Sequence, residues 1–193
     1  MTKKSDKNSE ESQIDEQAIF ARVVNRQRDG LADFYRLYHP RLFRFTYRLT
    51  NSFGASEELV NDIMLAVWDG AAQFRQQSKI STWVYSIAYR KCMSHLRRKQ
   101  IKTVPDISVE QLADEAGENV EDSQWIQQGL ERLPAEQQLC MLLVFYIGYS
   151  YAEVAEITDC KAETVKTRMF YARKKLRKTM PALARLENEG GLR

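Results

Sequence analysis

The stretch YSYAEVAEITDCKAETVKTRMFYARKKLRK, residues 149–178, constrains the fold more than any other part of the chain. Ser150-Tyr151-Ala152-Glu153 has the spacing of a capping box, in which the serine hydroxyl accepts an amide hydrogen bond and the glutamate reaches back to the serine amide. A short helix then carries Val154 and Ile157 inward. Asp159 falls where a tight turn favours glycine, and aspartate tolerates the left-handed conformation better than most residues. A second helix begins near Ala162, with Val165, Met169, Ala172 and Leu176 recurring on one face. At about 100° per residue the opposite face presents Thr167, Phe170, Tyr171, Lys174 and Lys178, flanked by Lys166 and Arg168. Two short helices joined by a tight turn, the second basic on its outer face, describe a helix-turn-helix. Its second helix enters the major groove of DNA while cations neutralise phosphates. A basic run alone is more simply a solvated face of a bundle helix, but the cap, the turn and the inward stripe agree on the helix-turn-helix.

The rest of the chain reads the same way. In 193 residues there are only 8 Gly and 4 Pro, with 44% hydrophobic residues and no long alternating Val/Ile/Thr runs, so an all-α protein with a packed core is expected. The formal charge of +3 hides a segregated pattern. Between Gly70 and Pro105 lie Arg75, Lys79, Arg90, Lys91, Arg97, Arg98, Lys99 and Lys102 and no acid. Between Thr103 and Ser123 lie Asp106, Glu110, Asp114, Glu115, Glu118, Glu121 and Asp122 and no base. Lys161 to Lys178 is basic again, with Glu163 as its one acid. The acidic stretch holds Pro105, Gly117 and few large apolar residues, which reads as a flexible linker. Two small helical domains follow, over residues 15–102 and 123–186, joined by a linker over 103–122. Polar tails cover 1–14 and 187–193, the first read as disordered.

No run is long and apolar enough to span a bilayer, and the polar start MTKKSDKNSEESQ has no signal-peptide core. Cys92, Cys140 and Cys160 are far apart and form no C-x-x-C pair, so they read as buried thiols of a cytosolic protein. His39 and His95 have neither metal-like nor triad-like spacing. No enzyme chemistry, metal, cofactor or small-molecule substrate is expected.

In the first domain, Leu59, Val60, Ile63, Met64, Ala66 and Val67 form a broad inner face over 56–74. The opposite stripe is Glu58, Asn61, Asp62, Leu65 and Asp69. It would repel DNA yet holds an apolar residue at its middle. Periodicity alone favours a solvated face; a protein-docking face is the sharper reading. The next helix, 81–99, turns Val84, Ile87, Ala88 and Cys92 inward and groups Trp83, Ser86, Arg90, Ser94 and Arg97 on another face. Phe74, Tyr85 and Tyr89 lie close by. Cations interleaved with aromatics suit single-stranded or partly melted nucleic acid, since aromatic faces stack on unpaired bases. For Trp83 the wheel leaves core and base-stacking open.

The segments YHPRLFRFTYRLT, ASEELVNDIMLAVW, FRQQSKISTWVYSIAYRK and LPAEQQLCMLLVFYIGYSYAEVAEITDCKAETVKTRMFYARKKL resemble, in order, the successive regions of a bacterial sigma factor of the extracytoplasmic-function branch. The resemblance covers about residues 20–102 and 125–180. It implies a subunit that binds core RNA polymerase and directs it to promoter DNA, under the control of an anti-sigma factor that is often membrane-anchored. It assigns core-polymerase binding to Glu58, Asn61, Asp62, Leu65 and Asp69. The minus-ten surface is implied at Lys79, Ser81, Trp83, Ser86, Tyr89, Arg90, Arg97 and Arg98. The minus-thirty-five surface is implied at Lys166, Thr167, Arg168, Phe170, Tyr171, Arg173, Lys174 and Lys175. The acidic linker would thread toward the RNA-exit path. Asn61 and Asp62 stand where the family often has Gln and Glu, and Arg90 where many members have an Asn that helps read the minus-ten strand. The chain would work in the bacterial cytoplasm. Two rivals remain at this point: an autonomous helix-turn-helix regulator that binds an operator alone, and a helical adaptor that binds only proteins.

Overall fold

A computed structural model describes residues 16–101 and 128–179. The expected tails at 1–14 and 187–193 and the linker at 103–122 lie outside the described residues, as do 180–186. Ten helical segments follow one another among the described residues. Helix α1 covers residues 16–24, α2 Arg28–Thr50, α3 Phe53–Gly70 and α4 Ile80–Ile101, with a single 3₁₀ turn at Ala71–Gln73. Then come α5 at 128–131, α6 at Ala135–Met141 running on into a π-helical turn at Leu142–Ile147, α7 at Tyr151–Thr158 and α8 at Ala162–Thr179. Among the described residues there is no strand.

Local chemistry sets the breaks. Asn51 takes a left-handed φ of 51° and its amide donates to the Tyr47 carbonyl, ending α2. Ser52 then caps α3 by accepting from the Ala55 amide. The sequence reading started this helix at Ser56 and carried it to Phe74; it begins at Phe53 and ends at Gly70. The reason is that Ser52 supplies the cap. Ser56 is instead buried, its hydroxyl donating to the Ser52 carbonyl at 2.7 Å and paired with Thr50 Oγ1 at 2.9 Å. Gly30 serves a close approach, because a Cβ there would stand 2.5 Å from Arg22 Cβ and 2.9 Å from the Arg22 carbonyl carbon. Helices α1 and α2 therefore meet almost backbone to backbone. Arg22 bridges them by pairing with Asp29 at 3.2 Å and Asp33 at 2.5 Å.

The first domain closes around Val23, Phe34, Leu42, Phe45, Val60, Ile63, Val67, Val84, Ala88 and Cys92, all fully buried. Fully burying a large apolar side chain contributes about 1.5–3 kcal/mol, so these contacts outweigh the helix propensities of the individual segments. In the second domain the capping box forms as read: Glu153 N–H donates to Ser150 Oγ, and the Ser150 amide donates to Glu153 Oε2 at 3.0 Å. Asp159 adopts the left-handed turn at φ 50°. Gly148, at φ 88°, performs the reversal between the π turn and α7. Val154, Ile157, Val165, Met169, Ala172 and Leu176 are buried together with Leu139 and Leu143.

The two domains touch. Helix α4 packs against α7 and α6, and α2 packs against the π turn. Gly30→Ala is expected to destabilise the first domain by about 1–3 kcal/mol, the usual cost of forcing atoms into a packed site. A urea or thermal unfolding curve equal to that of the parent would show that α1 can retreat freely.

Candidate nucleic-acid interface

The outer face of α8 follows from its inner one. With Val165, Met169 and Ala172 fixed in the core, Lys166, Thr167, Phe170, Tyr171, Arg173 and Lys174 are left exposed. Phe170 and Tyr171 meet edge to face at 5.4 Å and remain more than half exposed, an unusual position for two large rings in water. Thr167 Oγ1 donates to the Glu163 carbonyl at 2.8 Å, and Lys166 lies 3.7 Å from the Glu163 carboxylate. Lys175 is exposed as well. The stretch offers base edges two rings, a methyl and hydroxyl, and a ring of cations behind them.

Arg168 requires a correction. The helical wheel put it on the flank of the DNA-facing side, but its guanidinium turns inward and donates to Glu136 Oε2 at 2.7 Å. It also reaches Cys160 Sγ at 3.7 Å, and its side chain is 18% exposed. A partly buried charge stays where its counter-charge is, so Arg168 ties α8 to α6 and is not offered to DNA.

On α4, Arg90, Arg97 and Arg98 are exposed, while Ser86 donates its hydroxyl to the Trp83 carbonyl at 2.7 Å. Trp83 is half-buried among Phe20 at 5.6 Å and Phe74 at 5.3 Å. Its ring packs in the aromatic seam between α1 and α4, beside Gly70. Lys79, Ser81 and Tyr89 face the second domain. Lys79 Nζ pairs with Glu153 Oε1 at 2.8 Å. That hydrogen bond, followed by those from the Ser150 amide and hydroxyl, holds the Glu153 carboxyl down at about 2. Glu153 is thus ionised throughout the neutral range. Ser81 lies close to Tyr149, and Tyr89 is half-buried on the side of α4 toward Arg168 and Glu136. Next to Lys79 opens a cavity of 610 Å³ lined by Phe20, Asn25, Phe74, Gln76 and Gln77.

The α3 stripe forms another outward face. Glu58, Asn61, Asp62 and Asp69 are exposed around Leu65, which is 60% exposed. Asp62 is 3.8 Å from Lys91, Asp69 is 4.0 Å from Arg26, and Tyr35 donates to Asn61 Oδ1 at 3.4 Å. All five side chains thus share one outward face, held loosely at its margins.

Sequence reasoning missed Tyr149 and Glu153 as partners of α4, and missed the exposed Phe145 and Tyr146 of the π turn. Arg48 lies over the Tyr146 ring at 5.5 Å. The pair Phe145-Tyr146 was visible as two adjacent aromatics, but nothing local marks which of them a distant helix would cover. Burial pushes the Cys92 thiol up to about 12 and Cys140 up to about 11, so both stay protonated and unreactive. Among the described residues no three His, Cys, Asp or Glu side chains are grouped to hold a metal ion, and no helix is long and apolar enough to cross a membrane.

Both domains match known proteins. Residues 34–101 match the family described as Sigma-70 region 2, and residues 123–176 match Sigma-70, region 4. The chain is similar to the ECF RNA polymerase sigma factor SigM of Mycobacterium tuberculosis, at 31% identity over 159 residues, covering 82% of this chain and 81% of the relative. Among solved structures it is similar to CnrH in complex with the cytosolic domain of CnrY, at a TM-score of 0.66 and 15% identity over 86% of this chain and 97% of the other. It is also similar to RpoE of Bartonella quintana in complex with the anti-sigma factor NepR, at a TM-score of 0.63 and 24% identity over 76% and 94%. With regions 2 and 4 both matched and the SigM likeness running across both domains, the chain belongs to the ECF RNA polymerase sigma factors, which bind core RNA polymerase and promoter DNA to start transcription.

Proposed function

We propose that this sigma factor docks on core RNA polymerase through the α3 stripe, opens and reads the minus-ten element with α4, and reads the minus-thirty-five element with the outer face of α8. The observation that carries the reading is the division of labour between outward faces. An apolar side chain ringed by carboxylates, Leu65, suits a protein and repels DNA. Exposed rings backed by cations on α8 suit DNA. The cavity beside Lys79 adds to it, since the amides of Asn25, Gln76 and Gln77 and the ring of Phe74 match the hydrogen-bonding edge and flat face of an unstacked base. The chain has no catalytic chemistry of its own; polymerase makes the RNA and this subunit selects where it starts. It acts in the bacterial cytoplasm, held inactive by an anti-sigma factor until a stress or envelope signal releases it. Support for that regulation comes from RpoE, which is bound to the anti-sigma factor NepR.

Run-off transcription with purified core polymerase tests the reading. RNA of defined length is expected only when this chain is added, and a tight, specific footprint by the chain alone would instead make it an autonomous regulator.

Asp62→Arg with Leu65→Glu is expected to weaken core-polymerase binding by on the order of 2 kcal/mol or more, as for a central interface residue. The lost Asp62–Lys91 pair is exposed and worth at most about 1 kcal/mol, so the fold survives. Undiminished polymerase recovery with the folded double variant would sink the docking assignment.

Thr167→Ala or Lys166→Ala is expected to relax selection at particular minus-thirty-five bases, each good base contact being worth about 1–3 kcal/mol of discrimination. Lys174→Ala is expected to weaken binding to all sequences alike and to lower its salt dependence. Competition among single-base promoter variants with holoenzyme, at two salt concentrations, separates the two behaviours. Altered base preference in Lys174→Ala alone would reverse the orientation of α8 in the groove.

A further inference from the structure

Four residues other than glycine hold a left-handed φ among the described residues: Arg26, Asn51, Gln76 and Asp159. Asn51 and Asp159 end α2 and α7, and their short polar side chains suit that conformation. Arg26, at 59°, and Gln76, at 55°, have long side chains that do nothing to ease it. Both stand at one place. Gln76 lines the 610 Å³ cavity beside Lys79, and Arg26 directly follows Asn25, which lines it too. Left-handed backbone at such residues persists only where the surroundings hold it, and it gathers at functional sites.

Arg26 closes α1. Its amide donates to the Val23 carbonyl and that of Gln27 to the Arg22 carbonyl, both at 3.0 Å, the pairing in which the left-handed residue is most often glycine. Glycine would make this turn without strain, so the position serves the arginine side chain and not the turn. The guanidinium reaches across to the end of α3. It donates from Nη1 to the Trp68 carbonyl at 2.8 Å and from Nη2 to the Asp69 carbonyl at 3.4 Å, and its carbon lies 5.1 Å from the centre of the Trp68 ring. Helix α3 has no basic residue in its own last turn. Arg26 therefore supplies, from another helix, the cation that the negative end of the helix dipole favours.

These bonds fasten one wall of the cavity to the other. Val24 and Asn25 form the wall next to Arg26, while Ala71, Ala72, Gln76 and Gln77 belong to the segment that leaves α3 just after Trp68 and Asp69. We propose that Arg26 is a positioning residue: by tying the α1–α2 turn to the end of α3 it sets the spacing of the two walls, and through it which minus-ten base the cavity accepts. The inference rests on the reading of that cavity as the site of an unstacked base. Arg26 lies outside the lining and acts through Asn25 and the glutamines. Amides select one base edge only where their spacing is held to a fraction of an ångström.

Arg26→Gly and Arg26→Ala both remove the guanidinium, but only glycine accepts the left-handed backbone without strain. Arg26→Gly is therefore expected to melt at a higher temperature than Arg26→Ala. Holoenzyme made with each is then given competing single-base variants of a promoter that the parent transcribes. Both variants are expected to lose discrimination at one minus-ten position by about fivefold to tenfold, the scale of a single base contact, and to keep the parent's preference at every minus-thirty-five position. Recovery of core polymerase is expected to equal the parent's. A role in stability alone would make the loss follow the melting temperature and spread it over both elements. That outcome, weakened polymerase recovery, or unchanged discrimination in both variants would overturn the proposal. Asn25→Ala and Gln76→Ala, which cut into the walls themselves, separate the failures. If they shift the minus-ten preference and the Arg26 variants do not, the positioning role alone falls. If they leave it unchanged, the cavity is not a base site and the positioning role falls with it.

Discussion

Everything in this molecule depends on the sharing of helix α4. One face, Val84, Ala88 and Cys92, completes the core of region 2 and cannot move. What remains of its circumference must serve region 4, the aromatic seam at Trp83 and the exposed arginines Arg90, Arg97 and Arg98. A helix of about 10 Å diameter has too little surface to give each of these a separate side. Helix α4 thus carries the core of region 2, the contact with region 4 and the exposed arginines at once.

How much of this was legible in the sequence depends on how far each residue's decisive partner lies along the chain. The stripe Val165, Met169, Ala172 and Leu176 could be read because burial of one helix face repeats every 3.6 residues. The capping box and the left-handed Asp159 could be read because their partners lie within four residues. Arg168 could not: the wheel put it on the flank of the outer face, and Glu136, 32 residues away, turned it inward. The Lys79–Glu153 pair spans 74 residues and leaves no periodic trace at either end. The π turn at Leu142–Ile147 was also invisible, since no glycine or proline breaks the apolar run that contains it. Local chemistry thus gave the helices and the faces of the site, while its three-dimensional closure came from contacts that sequence spacing does not encode.

The internal tie between Arg168 and Glu136 also explains why region 4 can serve as a rigid body. Helices α6 and α8 are joined by a charge-assisted bond at 2.7 Å over a core of Leu139, Leu143 and Met169. A rigid body transmits the position of α8 to α7, so what α7 touches and where the outer face of α8 points are not independent.

Leu65 has a consequence for how the protein behaves in a crowd of its own copies. An apolar knob left 60% exposed invites self-association. Here two copies meeting knob to knob would bring Glu58, Asp62 and Asp69 of each against the same carboxylates of the other. Like charges brought together at a contact cost several kcal/mol, more than one exposed leucine returns. The acidic surround therefore acts as a filter: it lets the knob be buried only against a surface whose charge is opposite, and it keeps the unassembled subunit from spending itself on its own kind.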